Sequence, residues 1–165
     1  MKILLIGSSS DIARNLVDNS NPQFEFVELT STPTLTNQHQ IDVQNEESYP
    51  HIEGEVNGIV YFPGSINLRP FSSLKLSDFQ KDYEINVLGL IKTLKHYHKQ
   101  LSTDSSVVLI SSVAASLGMP YHASISMCKA AIEGLCRSLA AEWSPKVRVN
   151  CLSLIHISEP TRRTT

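Results

Sequence analysis

The apolar run Ile3-Leu4-Leu5-Ile6 leads straight into Gly7-Ser8-Ser9-Ser10-Asp11-Ile12-Ala13, and that junction limits the fold more than any other stretch of the chain. A short buried strand, a glycine turn and a helix opened by Ser and Asp bring backbone N–H groups and the positive end of a helix dipole to one point. A pyrophosphate is held by such a cradle. The spacing predicts a strand over 2–6, then a helix capped by Ser9 or Ser10 with Ile12, Ala13, Leu16 and Val17 on one side. Asp18-Asn19-Ser20-Asn21-Pro22 stops that helix, and residues 24–29 alternate as a second strand. In a strand-helix-strand unit the tip of the second strand meets the adenosine ribose, where an acidic group selects the free 2′-hydroxyl of NAD. Here the tip is Thr30-Ser31 without a carboxylate, which leans towards NADP; the alternative is that both residues only open a loop.

The remainder keeps the same alternation. Residues 31–40 are polar and read as a loop, Ile41-Asp42-Val43 as the end of a brief third strand, and Pro50 and Gly54 stunt any helix over 45–54. Residues 56–62 form a fourth strand closed by Pro63-Gly64. Ser77 and Gln80 are spaced as a capping box for a long helix over 78–101, with Phe79, Tyr83, Leu90, Ile91 and Leu94 inward. An all-apolar fifth strand over 107–110 suits a parallel sheet covered on both faces. A second long helix over 124–143 repeats apolar residues at Ile125, Cys128, Ile132, Leu135, Leu139 and Trp143. Strands alternating with helices predict an α/β fold: a doubly wound parallel sheet of Rossmann type in three α/β/α layers.

A length of 165 residues, 41% of them hydrophobic, with net charge −2, fits one domain with a sizeable core. Charges of both signs are interspersed and no basic run occurs, which argues against nucleic acid as a partner. The N-terminal apolar run is too short for a signal peptide or a membrane span, so the expected location is cytoplasmic, with no membrane partner. Cys128, Cys136 and Cys151 are odd in number and lack CxxC spacing, so they read as reduced thiols; His96 and His98 lie two apart on a helix and point different ways, so no metal site is expected.

In this order the residues resemble the short-chain dehydrogenase/reductase family from Met1 to about Cys151. Gly7 is kept from the family's Gly-x-x-x-Gly-x-Gly turn while Asp11 and Ala13 replace the other two glycines, and Asp42-Val43 is similar to the pair that packs on adenine. Tyr61-Phe62-Pro63-Gly64 stands where the family has Asn-Asn-Ala-Gly. Asn86 matches the helix asparagine, Ser112 the catalytic serine and Lys129 the catalytic lysine, and Arg148-Val149-Asn150 opens the sixth strand. The resemblance implies an NAD(P)-dependent oxidoreductase that interconverts a carbonyl and an alcohol on a small-molecule substrate. Gly7, Ser9, Ser10, Asp11 and Ile12 would hold the pyrophosphate, Thr30 and Ser31 the ribose, Asp42 and Val43 the adenine, and Pro63, Gly64 and Lys129 the nicotinamide side. It also implies that the sheet is truncated after the sixth strand, and a homodimer or homotetramer at full length, to which Leu94, Tyr97, Leu139 and Trp143 could contribute.

The family's tyrosine, four residues before the lysine, is Ile125 here, and isoleucine has no proton to give. His122 and Tyr121 lie three and four residues earlier, and each is a candidate for the missing acid if the helix begins early enough to bring it onto the same face. The alternative is that residues 119–122 are a loop packed on the cofactor or substrate without proton transfer. Lys129 then serves the ribose hydroxyls, Ser112 a substrate oxygen, and Asn67 and Arg69 either a substrate entrance or ordinary loop polarity. A non-catalytic NAD(P)-binding regulatory or scaffold protein of the same fold is the second functional reading. From Leu152 to Arg162 the text matches the translation of a transposon-end adapter used in preparing sequencing libraries, so domain reasoning is confined to 1–151, and 152–165 is expected to be a non-native tail.

Overall fold

The structure, a computed structural model, describes residues 1–155. Its strands are β1 (Lys2–Ile6), β2 (Glu25–Thr30), β3 (Gln38–Gln40), β4 (Val56–Tyr61), β5 (Leu101–Ser112) and β6 (Val147–Leu154), and its helices are α1 (Asp11–Asp18), α2 (Leu76–Tyr83), α3 (Gly89–Tyr97) and α4 (Ala123–Trp143). All six strands are parallel, in the order β3-β2-β1-β4-β5-β6. The doubly wound reading therefore holds, and its reason is visible in β1. Leu4 and Ile6 join Leu29, Ile59, Tyr61, Val107, Leu109 and Val149 in one core cluster with residues of α3 and α4, while Leu5, on the opposite face, is equally buried. A strand covered on both sides needs an unbroken apolar run.

Polar residues produced most of the boundary corrections. The third strand is Gln38–Gln40, not 41–43: Asn37 and Gln38 donate side-chain N–H groups to the buried Glu28 carboxylate at 3.4 and 2.9 Å, and Ile41 N–H closes the ladder on Thr30 O at 2.9 Å. A strand held by polar partners at a sheet edge shows no apolar alternation to read. The stunted helix is a single turn over Glu46–Ser48. β5 begins at Leu101, which the periodicity placed in a helix. α1 buries only Ala13, leaving Ile12 and Leu16 exposed, so its predicted apolar side is not an inner one. Leu94 and Tyr97 are core residues rather than surface candidates for pairing. β6 continues past Cys151, with Leu152, Ser153 and Leu154 paired to Ile110, Ser111 and Ser112; residues 156–165 of the adapter-like segment lie outside the described residues.

The helix predicted over 78–101 starts at Leu76. Ser77 is not its cap: Lys75 takes that position, and its N–H donates to the Asp78 carboxylate at 2.9 Å. A π-helical turn over Glu84–Leu88 interrupts it, with Gly89 N–H bonding Glu84 O, five residues back. Ile85 O accepts instead from the Tyr61 hydroxyl at 2.8 Å, and burial keeps that phenol protonated by pushing its pKa up. The wider turn rotates the inward face, so Asp82 and Asn86 are buried while Tyr83 is exposed. Gly89 permits this contact, since a Cβ there would lie 2.7 Å from Tyr61 Oη. Gly89→Ala is therefore expected to destabilise the fold by about 1–3 kcal/mol, and adding Tyr61→Phe should recover part of the loss in chemical denaturation.

Cys128 and Cys136 are buried, Cys151 is half-buried, and all three are free thiols. Burial pushes Cys128 and Cys151 up to about 11 each, so both stay protonated at neutral pH.

Candidate active site

Two neighbouring clefts open along the carboxyl ends of β1, β4 and β5. The first, of about 430 Å³, is walled by Gly7, Ser9, Ser10, Thr30, Ser31, Asp42, Val43, Pro63 and Gly64, nine of the predicted cofactor-binding residues, with Ile41, Gln44, Phe62 and Ile85 completing it. Gly7 has φ +79, and a Cβ at that position would meet the Pro63 ring at 3.0 Å. Only glycine satisfies both conditions. Gly7 N–H and Ser8 N–H both bond Leu29 O, at 2.7 and 3.1 Å, which pins the turn to β2. Ser10 is the cap, its Oγ accepting from Ala13 N–H at 3.2 Å. Asp11 is exposed in the first turn of α1 and does not line this cleft, and Ile12 lines the second one. Asp42 carries the one charge on the wall, and its carboxylate accepts from Gln44 N–H at 2.9 Å.

The second cleft, of about 220 Å³, shares Phe62 and Gly64 with the first and brings together Asn86, Ser112, His122, Ile125 and Lys129. Lys129 Nζ donates to Ile110 O at 2.9 Å, and among the described residues no carboxylate comes within ion-pair distance of it. Burial holds its pKa below the ordinary lysine value. Ser112 ends β5, and its Oγ accepts from Ala114 N–H at 3.2 Å, leaving its hydroxyl hydrogen free to donate. Asn86, in the π-helical turn, donates through Nδ2 to Asp82 O at 2.9 Å and to Ser65 O and Oγ at 3.3 Å each, while its buried Oδ1 has no protein partner.

His122 caps α4, with Nδ1 2.7 Å from Pro120 O. A carbonyl can only accept, so Nδ1 carries a hydrogen and Nε2 is the nitrogen left to exchange a proton. Tyr121 departs from the expectation of a residue one turn below Ile125. The helix starts at Ala123, so Tyr121 lies outside it at φ +67, and its ring lines a separate hollow with Arg69, Phe71 and Leu117. Arg69 belongs to that hollow, whereas Asn67 donates to Asp82 at 3.0 Å. Ile125 is buried at the second cleft in the position one helical turn before Lys129.

Comparison with known proteins follows the same lines. The family model described as enoyl-(acyl carrier protein) reductase matches residues 32–164. The chain belongs to the short-chain dehydrogenase/reductase family. Among curated relatives, a hydroxynaphthalene reductase of Aspergillus fumigatus is 32% identical over 93 residues, 56% of this chain and 34% of that protein. A tropinone reductase-like protein of Erythroxylum coca is 40% identical over 77 residues, 47% of this chain and 30% of that one. The chain thus spans about a third of the length of these two relatives. Among solved structures, the protein lin1944 from Listeria innocua superposes with TM-score 0.81 at 21% identity, over 94% of this chain and 78% of that one. The ligand-free aldohexose dehydrogenase of Thermoplasma acidophilum does so with TM-score 0.80 at 22% identity, over 93% and 66%.

Within this family, what the sequence missed is the polar interior of α2. Asp82 lies one turn before Asn86 and accepts from Ser65, Asn67 and Ser124. The signal was present as an acidic residue four before a matched asparagine, but the apolar periodicity of Phe79 and Tyr83 drew the inward face elsewhere. Among the described residues no helix is long and apolar enough to cross a membrane.

Proposed function

We propose that the protein is an NAD(P)-dependent oxidoreductase interconverting a carbonyl and an alcohol on a small-molecule substrate, working in the cytoplasm as a homodimer or homotetramer. The observation that carries this reading is the convergence of Lys129, Ser112, Asn86 and His122 on a cleft that adjoins the Gly7–Gly64 cradle. The residues fit a dinucleotide: Gly7, Ser9, Ser10 and Gly64 line an open cleft of about 430 Å³, and Asn86 presents an unpaired buried acceptor 3.1 Å from the point a Gly64 Cβ would occupy, itself 3.7 Å from Lys129 Nζ. A bound nicotinamide supplies the hydride; the chain supplies position and protons. Ser112 Oγ–H donates to the carbonyl oxygen and stabilises its developing charge. His122, as imidazolium, delivers its Nε2 proton to that oxygen, while Lys129 holds ribose hydroxyls. The uncharged Thr30-Ser31 tip favours NADP over NAD, an expectation checked by titrating NADPH and NADH fluorescence separately.

The test is turnover against a panel of aldehydes and ketones. His122→Phe and Ser112→Ala should each lower kcat by about 100-fold, while Tyr121→Phe stays within about twofold. Unchanged turnover in His122→Phe removes the histidine from the acid role. One observation favours a second reading, a non-catalytic NAD(P)-binding regulatory or scaffold protein: a buried isoleucine fills the position of the family's tyrosine. Tight NADPH binding without turnover of any substrate would establish it.

A further inference from the structure

Lys129 is the one buried lysine among the described residues, and it lines the second cleft. Nζ donates to Ile110 O at 2.9 Å, and no carboxylate among the described residues pairs with it. Glu133, one turn further along α4, takes the Ser111 hydroxyl at 2.7 Å instead, and the nearby thiols of Cys128 and Cys151 are pushed up to about 11 and stay protonated at neutral pH. His122 is the other titratable group on the wall of this cleft. Ile125, one turn before the lysine, offers it no hydrogen-bonding group. Burial without a counterion favours the uncharged form of a lysine, and the uncharged amine is a nucleophile.

The space beside that amine is open. A Cβ on Gly64 would lie 3.7 Å from Nζ and 3.1 Å from Asn86 Oδ1, a buried acceptor without a protein partner. Asn86 spends its Nδ2 hydrogens on Asp82 O at 2.9 Å and Ser65 O at 3.3 Å, so its acceptor end is the free one. We propose that, when the cleft holds no cofactor, Lys129 Nζ adds to the carbonyl carbon of a small aldehyde and forms a reversible imine, with the reacting carbon in the void beside Gly64. The nitrogen lone pair makes the C–N bond while the carbonyl π pair moves to oxygen. That oxygen gains a proton and the nitrogen loses one, which gives a carbinolamine whose hydroxyl has Asn86 Oδ1 as its acceptor. His122 Nε2 then protonates the hydroxyl, the C–O bond breaks, water leaves and the C=N bond forms; the iminium nitrogen returns the proton to His122. Aldehyde and amine are converted to imine and water, and no oxidant or reductant is consumed. A cleft of about 220 Å³ limits the partner to a small aldehyde. The chemistry goes beyond the oxidoreductase reading and does not depend on it, although a bound nicotinamide ribose would cover the same amine.

The test adds propanal and cyanoborohydride to the whole chain at neutral pH and follows the propylation of each lysine by peptide mass mapping. Cyanoborohydride delivers hydride to the C=N carbon and makes the adduct permanent. Lys129 should label at least about tenfold faster in the folded chain than in the same chain in concentrated urea, the ratio expected when an amine pKa falls by about one. The exposed Lys95 and Lys99 should differ by less than about twofold between the two conditions. Lys129→Arg should remove the fast phase from intact-mass kinetics, and the wild-type map decides alone if that variant does not fold. Labelling of Lys129 in the folded chain at or below its rate in urea overturns the proposal, because burial then shields the amine instead of activating it. Saturating NADPH should slow the labelling of Lys129. Fast labelling that NADPH leaves unchanged would count against the ribose role given to Lys129 in the oxidoreductase reading and leave the imine result standing.

Discussion

Lys129→Met is expected to abolish carbonyl reduction, lowering kcat/KM by at least about 100-fold, and to raise the melting temperature at neutral pH. The two effects have one origin. Lys129 is 8% exposed, its Nζ has Ile110 O as its protein acceptor, and burial lowers its pKa. An ammonium in that place gives up hydration that one carbonyl does not replace. In the unfolded chain the lysine keeps its ordinary, higher pKa, so between the two values the unfolded state binds more protons and stability rises with pH. Below the folded value the lysine is charged in both states and its full cost is present. Methionine fills much the same volume without that cost. Thermal melts from neutral to alkaline pH should show the variant's advantage over wild type shrinking as pH climbs through the lowered pKa towards the ordinary lysine value. NADPH titration should show binding weakened as well. A variant that melts higher yet turns over normally would remove Lys129 from the site.

Ile125→Tyr is expected to raise turnover by at least about tenfold over the wild-type chain, a gain drawn from general acid catalysis. The helix is already in place around it: α4 runs unbroken from Ala123, so residue 125 sits one turn before Lys129 and borders the same cleft as Ser112. A phenol there would meet the lysine ammonium, which lowers the phenol pKa towards the working range. The larger ring enters a buried position, so a stability loss of about 1–3 kcal/mol should accompany the gain. With a second acid present, His122→Phe should cost less in this background than in wild type. If NADPH still binds and turnover does not rise, the missing donor is not what limits the cleft, and the non-catalytic reading moves ahead.

Much of this was legible along the chain because it depends on neighbours a few residues apart. Leu4, Leu5 and Ile6 are buried whatever the details of the sheet. Gly7 needed a positive φ, Ser10 needed only the N–H of Ala13, and Ile125 and Lys129 face one cleft because they are a helical turn apart. The readings that failed depended on partners distant in sequence. β3 exists because Gln38 and Asn37 satisfy Glu28, and no local pattern announces a polar strand. Tyr121 left the site because α4 begins two residues too late for it, a boundary that spacing could not locate.

By itself, then, the amino-acid order determined the strand-helix alternation and the cradle at Gly7, since each follows from local backbone preference, and the family resemblance it carries marked Ile125 as standing where a tyrosine is expected. Only the tertiary structure decided how the buried polar groups behind the second cleft are paired. Tyr61 takes Ile85 O at the π-helical turn, and Asp82 lies among donors from residues 65, 67 and 124. A hydrogen bond acquires its direction from every partner in its network, and that network closes only when the segments after β4, in α2 and in α4 meet.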